Sequence, residues 1–300
     1  MALSPGRRPP APETAPLPRA KALSAALPDL LIQAQRLSAT VVAGWHGRRR
    51  AGPGEQFWQF RPFAPGEPVS RIDWRRSARD EHLYVREREW EAAHTLWLSA
   101  DLSASMDYRS DLAEVSKRDR ALVLLLALAD LAARGGERVG LMGLSRPVAA
   151  RDAAERIAAT LALTPPDTAL PQAGAVRRFS DVVLLGDFLD PVDDLIAWVE
   201  RLAGLGVRGH LVQVLDPAEE SFPFSGRIEF IEPETGARLM AGRADAWGEI
   251  YRTRLAERRD TLARLTRRAG WSFLVHHTDR SAAEPLIALS ARLGAAGGPR

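Results

Sequence analysis

From residue 95 onward, short apolar runs of β type alternate with stretches of helical period, and this alternation limits the fold more than any other feature. The runs predict strands at 95–100, 138–144, 181–185, 209–215 and 272–276. Between and after them, the apolar period predicts helices at 118–134, 152–163, 192–205, 245–269 and 284–293. Gly135-Gly136 stops the first of these helices, and a small hairpin is expected where 228–231 and 238–240 flank Pro233-Glu234-Thr235-Gly236. Strands separated by helices indicate βαβ units, hence an α/β protein with a mainly parallel sheet flanked by helices. Such sheets bind ligands just beyond the carboxyl ends of their strands. The residues at those ends therefore carry the functional reading.

At the first strand end the chain reads LWLSADLSASM over 96–106, placing Asp101 and then the hydroxyls of Ser103 and Ser105 at alternate positions. A carboxylate with two hydroxyls offers only hard oxygen donors, which suit a small hard cation. The plainer alternative is a polar turn in which Ser103 or Ser105 caps the next helix. The spacing resembles the metal-ion-dependent adhesion site of von Willebrand factor A domains. That resemblance implies two further members: a loop hydroxyl, matched by Thr168 in TPPDTAL, and a carboxylate at the next strand end, matched by Asp187. The implied ligand set is Asp101, Ser103, Ser105, Thr168 and Asp187, holding Mg2+ or Mn2+, with Thr164 as the alternative loop hydroxyl. Gly186 stands where many relatives carry a hydroxyl residue.

Other chemistries fit poorly. The chain contains no Cys, which excludes disulfides, thiolate metal sites and cysteine nucleophiles. A haloacid-dehalogenase-like phosphatase would need a second Asp two residues after Asp101, where Ser103 stands. The sequence holds neither a G-x-x-x-x-G-K-[ST] phosphate loop nor a G-x-S-x-G elbow. His276 and His277 are neighbours on a strand and point to opposite faces. Asp107 and Asp111 read as solvated or capping residues, and no His or Lys adjoins the motif to serve as a general base. Basic and acidic residues number 41 and 38, and Lys21 and Lys117 are the only lysines, so the basic pI is a weak argument for nucleic acid. The apolar stretch 121–131 is interrupted by Asp130 and falls short of the ~20 residues a membrane span needs. With no signal-peptide core at the N-terminus, a cytoplasmic protein with no membrane partner is expected.

The first part of the chain differs in character. Residues 1–20 are rich in Pro, Ala and Arg and are expected to be disordered. An amphipathic helix is predicted over 23–42, opening near Pro28 and stopping at Gly44. Residues 44–91 then carry GPGEQF (52–57), RPFAPGE (61–67), RIDWRRSAR (71–79) and LYVRERE (83–89), with a strand over 82–90 that sets Leu83 and Val85 on one face. Arginine with aromatics can bind single-stranded nucleic acid. The interspersed acids favour instead an internal network, Asp73 and Glu67 holding Arg61, Arg75 or Arg79 over Trp74 and Phe63.

This block, followed by Asp101-Leu-Ser-Ala-Ser-Met106, closely resembles the bacterial Domain of Unknown Function fifty-eight family. The resemblance implies a von Willebrand factor A-like, Rossmann-type domain over 92–293. It is preceded by a helix and a β/turn-rich region over 21–91, with tails at 1–20 and 294–300. It also implies a MoxR-type AAA+ ATPase as partner, acting on an unknown client protein. The expected function is a non-enzymatic, metal-dependent interaction module. The alternatives are a magnesium-dependent phosphoester hydrolase at the same site and a nucleic-acid-binding module built on the arginine block.

Overall fold

The computed structural model describes residues 16–45, 57–64, 68–79, 81–88, 94–165 and 169–295. Residues 1–15 and 296–300, on which most of the two predicted tails fall, lie outside them. Helix α1 (Pro16–Trp45) starts earlier than its apolar period suggests, so 16–20 are helical and Pro28 lies inside the helix instead of opening it. Pro28 removes one backbone donor. The buried stripe Leu23, Leu27, Leu30, Ala34 and Val41 runs across that gap and packs into the main core, which holds the helix together.

Strand β1 (Phe57–Pro62), the one-turn helix α2 (Trp74–Ser77) and strand β2 (Tyr84–Arg88) follow, with β1 and β2 paired antiparallel. Val85 is buried as expected, whereas Leu83 precedes the strand and is exposed, because the strand starts two residues later than predicted.

The rest of the chain runs β3 (Thr95–Ala100), α3 (Lys117–Arg134), β4 (Arg138–Leu141), α4 (Ala153–Leu163), β5 (Asp181–Gly186), α5 (Val192–Gly204) and β6 (Arg208–Leu215). It ends with α6 (Pro217–Ser221), the hairpin β7 (Ile228–Ile231) and β8 (Arg238–Ala241), then α7 (Gly248–Ala269), β9 (Ser272–His277) and α8 (Ala283–Ala295). Five strands pair in parallel in the order β4-β3-β5-β6-β9. Because both faces of the sheet's centre are covered, β3 and β5 read as nearly continuous apolar runs. Leu98, Leu185, Val212 and Val214 pack with α1, α3, α4 and α8, while Trp97, Val182, Leu184 and Leu211 pack with α5 and α7. The protein is thus of mixed α/β class, with a parallel central sheet flanked by helices.

One step in this topology positions the site. The chain leaves β3 outward to β4, then returns to pair β5 on the other side of β3. Strand order reverses between β3 and β5, and a crevice opens outside their carboxyl ends at such a switch point.

Candidate functional site

Asp101 and Asp187 are the first residues past β3 and β5, and both side chains are buried. Asp101 N donates to Leu185 O at 2.8 Å, which ties one strand end to the other. Ser103 N donates to Asp101 Oδ1 at 2.8 Å. A 3-10 turn over Ala104–Asp107 then brings Ser105 back to the strand ends. Its Oγ lies 3.2 Å from Ser103 Oγ and donates to Asp187 Oδ2 at 2.9 Å. Four of the five sequence-predicted residues, Asp101, Ser103, Ser105 and Asp187, therefore meet in one hydrogen-bonded group.

The capping alternative does not account for this group. Ser103 precedes the 3-10 turn without a side-chain cap bond, and Ser116 caps α3. Thr168 lies outside the described residues, while Thr164 sits exposed at the end of α4. At Gly186 a Cβ would stand 3.1 Å from Asp101 Cβ, so the position expected to lack a hydroxyl has little room for any side chain.

No His or Lys adjoins the motif in sequence, but the fold brings a lysine to it from α3. Lys117, at the start of α3 and 1% exposed, donates from Nζ to Asp187 Oδ2 at 2.8 Å and to Glu219 Oε1 at 2.6 Å. Burial alone would lower its pKa, but Asp187 and Glu219 outweigh burial and hold it above the ordinary lysine value. Lys117 is thus an ammonium ion and no general base. Glu219 is fixed by a capping box on α6, its Oε2 accepting from Asp216 N at 2.8 Å. The sequence offered two signals: the scarcity of lysine, and the Asp216-Pro-Ala-Glu219 cap pattern.

Lys117 spends its charge on Asp187 and Glu219. Asp101 receives hydrogen bonds from Ser103 and has its pKa raised, first by burial and then by Asp187 and Asp190 nearby. Among the described residues no three or more His, Cys, Asp or Glu side chains are arranged to hold a metal. The donors here are two carboxylates and two hydroxyls, a hard-oxygen set that fits magnesium or manganese. Beside the group opens a groove of about 730 Å3 walled by Tyr108, Phe222, Phe224, Phe230, Trp247 and Tyr251.

In the arginine block Asp73 plays a different part from the one expected. Its side chain accepts from Arg76 N at 3.0 Å and caps α2. Arg75 and Arg79 are exposed, and Trp74 is 59% exposed instead of packed beneath them. The short sequence Asp-Trp-Arg-Arg satisfies its own helix end locally, which removes the need for a long-range ion pair. Glu67 and the side chain of Arg61 lie outside the description. Asp73→Ala should therefore cost about 0.5–2 kcal/mol, the value of a lost cap. A buried ion pair broken on one side would cost about 3–5 kcal/mol. Urea unfolding of the two proteins separates these ranges.

Two of the other polar residues singled out in the sequence, His277 and Asp107, have ion-pair partners. His277 sits 3.0 Å from Glu220 while His276 is buried on the opposite side of the strand. Asp107 pairs with Arg118, and Asp111 is exposed.

Fold and site together define a doubly wound α/β protein with an acid-and-hydroxyl cluster at its topological switch point. The family described as Protein of unknown function DUF58 matches residues 59–261, and the chain belongs to it. It is 28% identical over 277 residues to uncharacterized protein Rv1480 of Mycobacterium tuberculosis and to uncharacterized protein Mb1516 of Mycobacterium bovis, covering 86% of each chain. Looser similarities reach two solved structures. One is an aerotolerance-related membrane protein from Bacteroides fragilis, at 13% identity and TM-score 0.41, covering 67% of this chain and 99% of that one. The other is an uncharacterized membrane spanning protein from Vibrio fischeri, at 14% identity and TM-score 0.19, covering 68% and 100%.

Both of these neighbours are described as membrane proteins, against the cytoplasmic expectation drawn from the sequence. Among the described residues no helix is long and apolar enough to cross a membrane. That fact concerns those helices and assigns no compartment.

Proposed function

We propose that the cluster at the ends of β3 and β5 is a magnesium- or manganese-dependent docking site, and that the chain is a non-enzymatic adaptor. The observation that carries this reading is the convergence of Asp101, Ser103, Ser105 and Asp187 around a buried carboxylate that Lys117 does not neutralise. Asp101 and Asp187 would hold the ion with the serine hydroxyls, and Thr168 is the fifth member of the proposed set. Two carboxylates balance the charge of a divalent ion, but with three hydroxyls they leave one position of its octahedral shell open, which a further carboxylate from a partner protein can fill. Strand order and the position of the cluster agree with a von Willebrand factor A-like domain. The family resemblance implies a MoxR-type AAA+ ATPase as that partner. The hydrolase alternative lacks an evident general base beside the motif, and Lys117, bridged to Asp187 and Glu219, does not supply one.

Affinity purification in magnesium or in EDTA, followed by mass spectrometry, tests the proposal. An ATPase should be retained with magnesium, lost on chelation, and absent with Asp187→Ala. Equal retention in EDTA would remove the ion from the interface and shift attention to residues 44–91.

A further inference from the structure

The opposite edge of the sheet, at the amino ends of β5 and β6, carries a second hollow. Its volume is about 810 Å3, and it lies between the segment 173–178, which leads toward β5, and the segment 201–206, which ends α5 and leads toward β6. Ala173 and Val176 are buried beneath it, and Arg177, Arg178 and Arg201 stand around it. No acidic residue lines the hollow, and among the described residues none of the three guanidiniums pairs with a carboxylate. Arg177 Nη1 donates to Gly174 O at 2.9 Å and to Val176 O at 3.4 Å, which folds it back on its own loop. The stem of Arg178 packs on Gly206, where a Cβ would stand 3.2 Å from Arg178 Cγ, and its guanidinium lies 4.7 Å from the centre of the Phe179 ring. The carbonyls of Leu202 and Ala203, at the end of α5, accept from the amides of Leu205, Gly206 and Val207, so neither is left bare to repel an anion.

Phe179 lies in the left-handed region at φ 65°, which a bulky residue rarely adopts. Its amide donates to Gly206 O at 3.3 Å, joining the two walls, and its ring is 70% exposed. Among the described residues the other non-glycines with positive φ are Phe188, which follows Asp187, and Phe222, which walls the groove beside the cluster. Strain of this kind gathers at functional sites. Three guanidiniums without carboxylates around one hollow suit an anion of more than one charge, and their planar forks match the oxygens of a phosphate. A single carboxylate would balance only one of them. Phe179 and the exposed Leu205 add apolar contact at the rim for the group that carries the phosphate. We propose that this hollow binds a phosphate group, borne either by a soluble phosphoester or by the headgroup of an acidic phospholipid. It is separate from the cluster at the carboxyl ends of the strands and does not depend on how that cluster is read.

Two probes applied to the full-length chain test this: calorimetry with pyrophosphate, and flotation with phosphatidylcholine vesicles with or without phosphatidic acid. The variant is Arg178→Gln with Arg201→Gln; both residues are exposed, so its thermal melt should match the wild type. Arg146→Gln with Arg243→Gln removes the same two charges from exposed positions outside the hollow. Pyrophosphate binding that falls about tenfold or more in the first variant and is unchanged in the second supports a site for soluble phosphate, a hydrogen bond to a charged group being worth about that factor. Flotation that requires phosphatidic acid and is lost in the first variant alone, with no binding of pyrophosphate, assigns the site to a headgroup. If neither probe binds, if the chain floats equally on phosphatidylcholine alone, or if the two variants weaken binding equally, the proposal is overturned.

Discussion

Lys117→Met should lower the unfolding free energy by about 3–5 kcal/mol, the cost of removing one partner from a buried ion pair. The methionine retains most of the side chain's volume and apolar contacts, so the loss reports charge and not a cavity. Asp187, 2% exposed, and Glu219 would be left facing each other without the ammonium that bridges them at 2.8 and 2.6 Å. The pH dependence follows from the direction of each shift. Lys117 has a folded pKa above the ordinary lysine value of 10.5, so its stabilising contribution is complete below 10.5 and is lost as pH rises through the higher folded value. Glu219 has a folded pKa raised above 4.5, chiefly by burial against the opposing pull of Lys117. Once Lys117 is gone that carboxyl takes up a proton more readily, and the variant should regain stability as pH falls toward the acid range. Urea unfolding of both proteins across neutral and acid pH measures this. A loss below about 1 kcal/mol at neutral pH would mean that water replaces the ammonium and that the trio is not a structural element.

Lys117 also marks where the sequence stopped being readable. The inner parallel strands were legible because they are covered on both faces and spelled as apolar runs, as in DVVLL over Asp181–Leu185. Asp101 and Asp187 were legible because each ends such a run, and the topology that joins the two ends follows from the order of elements. Lys117 and Glu219 were not legible as site residues. Each lies on a different element, and only the return of α3 and α6 to one crevice brings them together. Asp73 failed for the opposite reason. A long-range partner was sought for a side chain that a neighbouring backbone amide already satisfies. Pro28 misled the placement of α1 because a proline signals a helix start only where no packed stripe carries the helix through it.

Asp101→Asn should reverse its rank against the wild type when magnesium is added. Without divalent cations the variant should be at least as stable. Asp101 has a folded pKa raised above 3.8, first by burial, so the folded state disfavours its charge, and that cost appears as pH rises through the folded value. The amide carries no charge and keeps an oxygen for Ser103 N, the donor that Asp101 Oδ1 now accepts at 2.8 Å. With magnesium the wild type should gain about 2.7 kcal/mol at a hundredfold excess over the dissociation constant, because the ion binds only the folded chain. The variant should gain almost nothing, having lost the one buried carboxylate at the site that Lys117 leaves to a second cation. Thermal melts of both proteins in EDTA and across a magnesium titration show whether the two curves cross. Parallel responses to magnesium would mean that the ion binds elsewhere. A variant less stable in EDTA would mean that the Asp101 charge is already compensated within the chain, and the argument for a cation at the switch point would lose its physical basis.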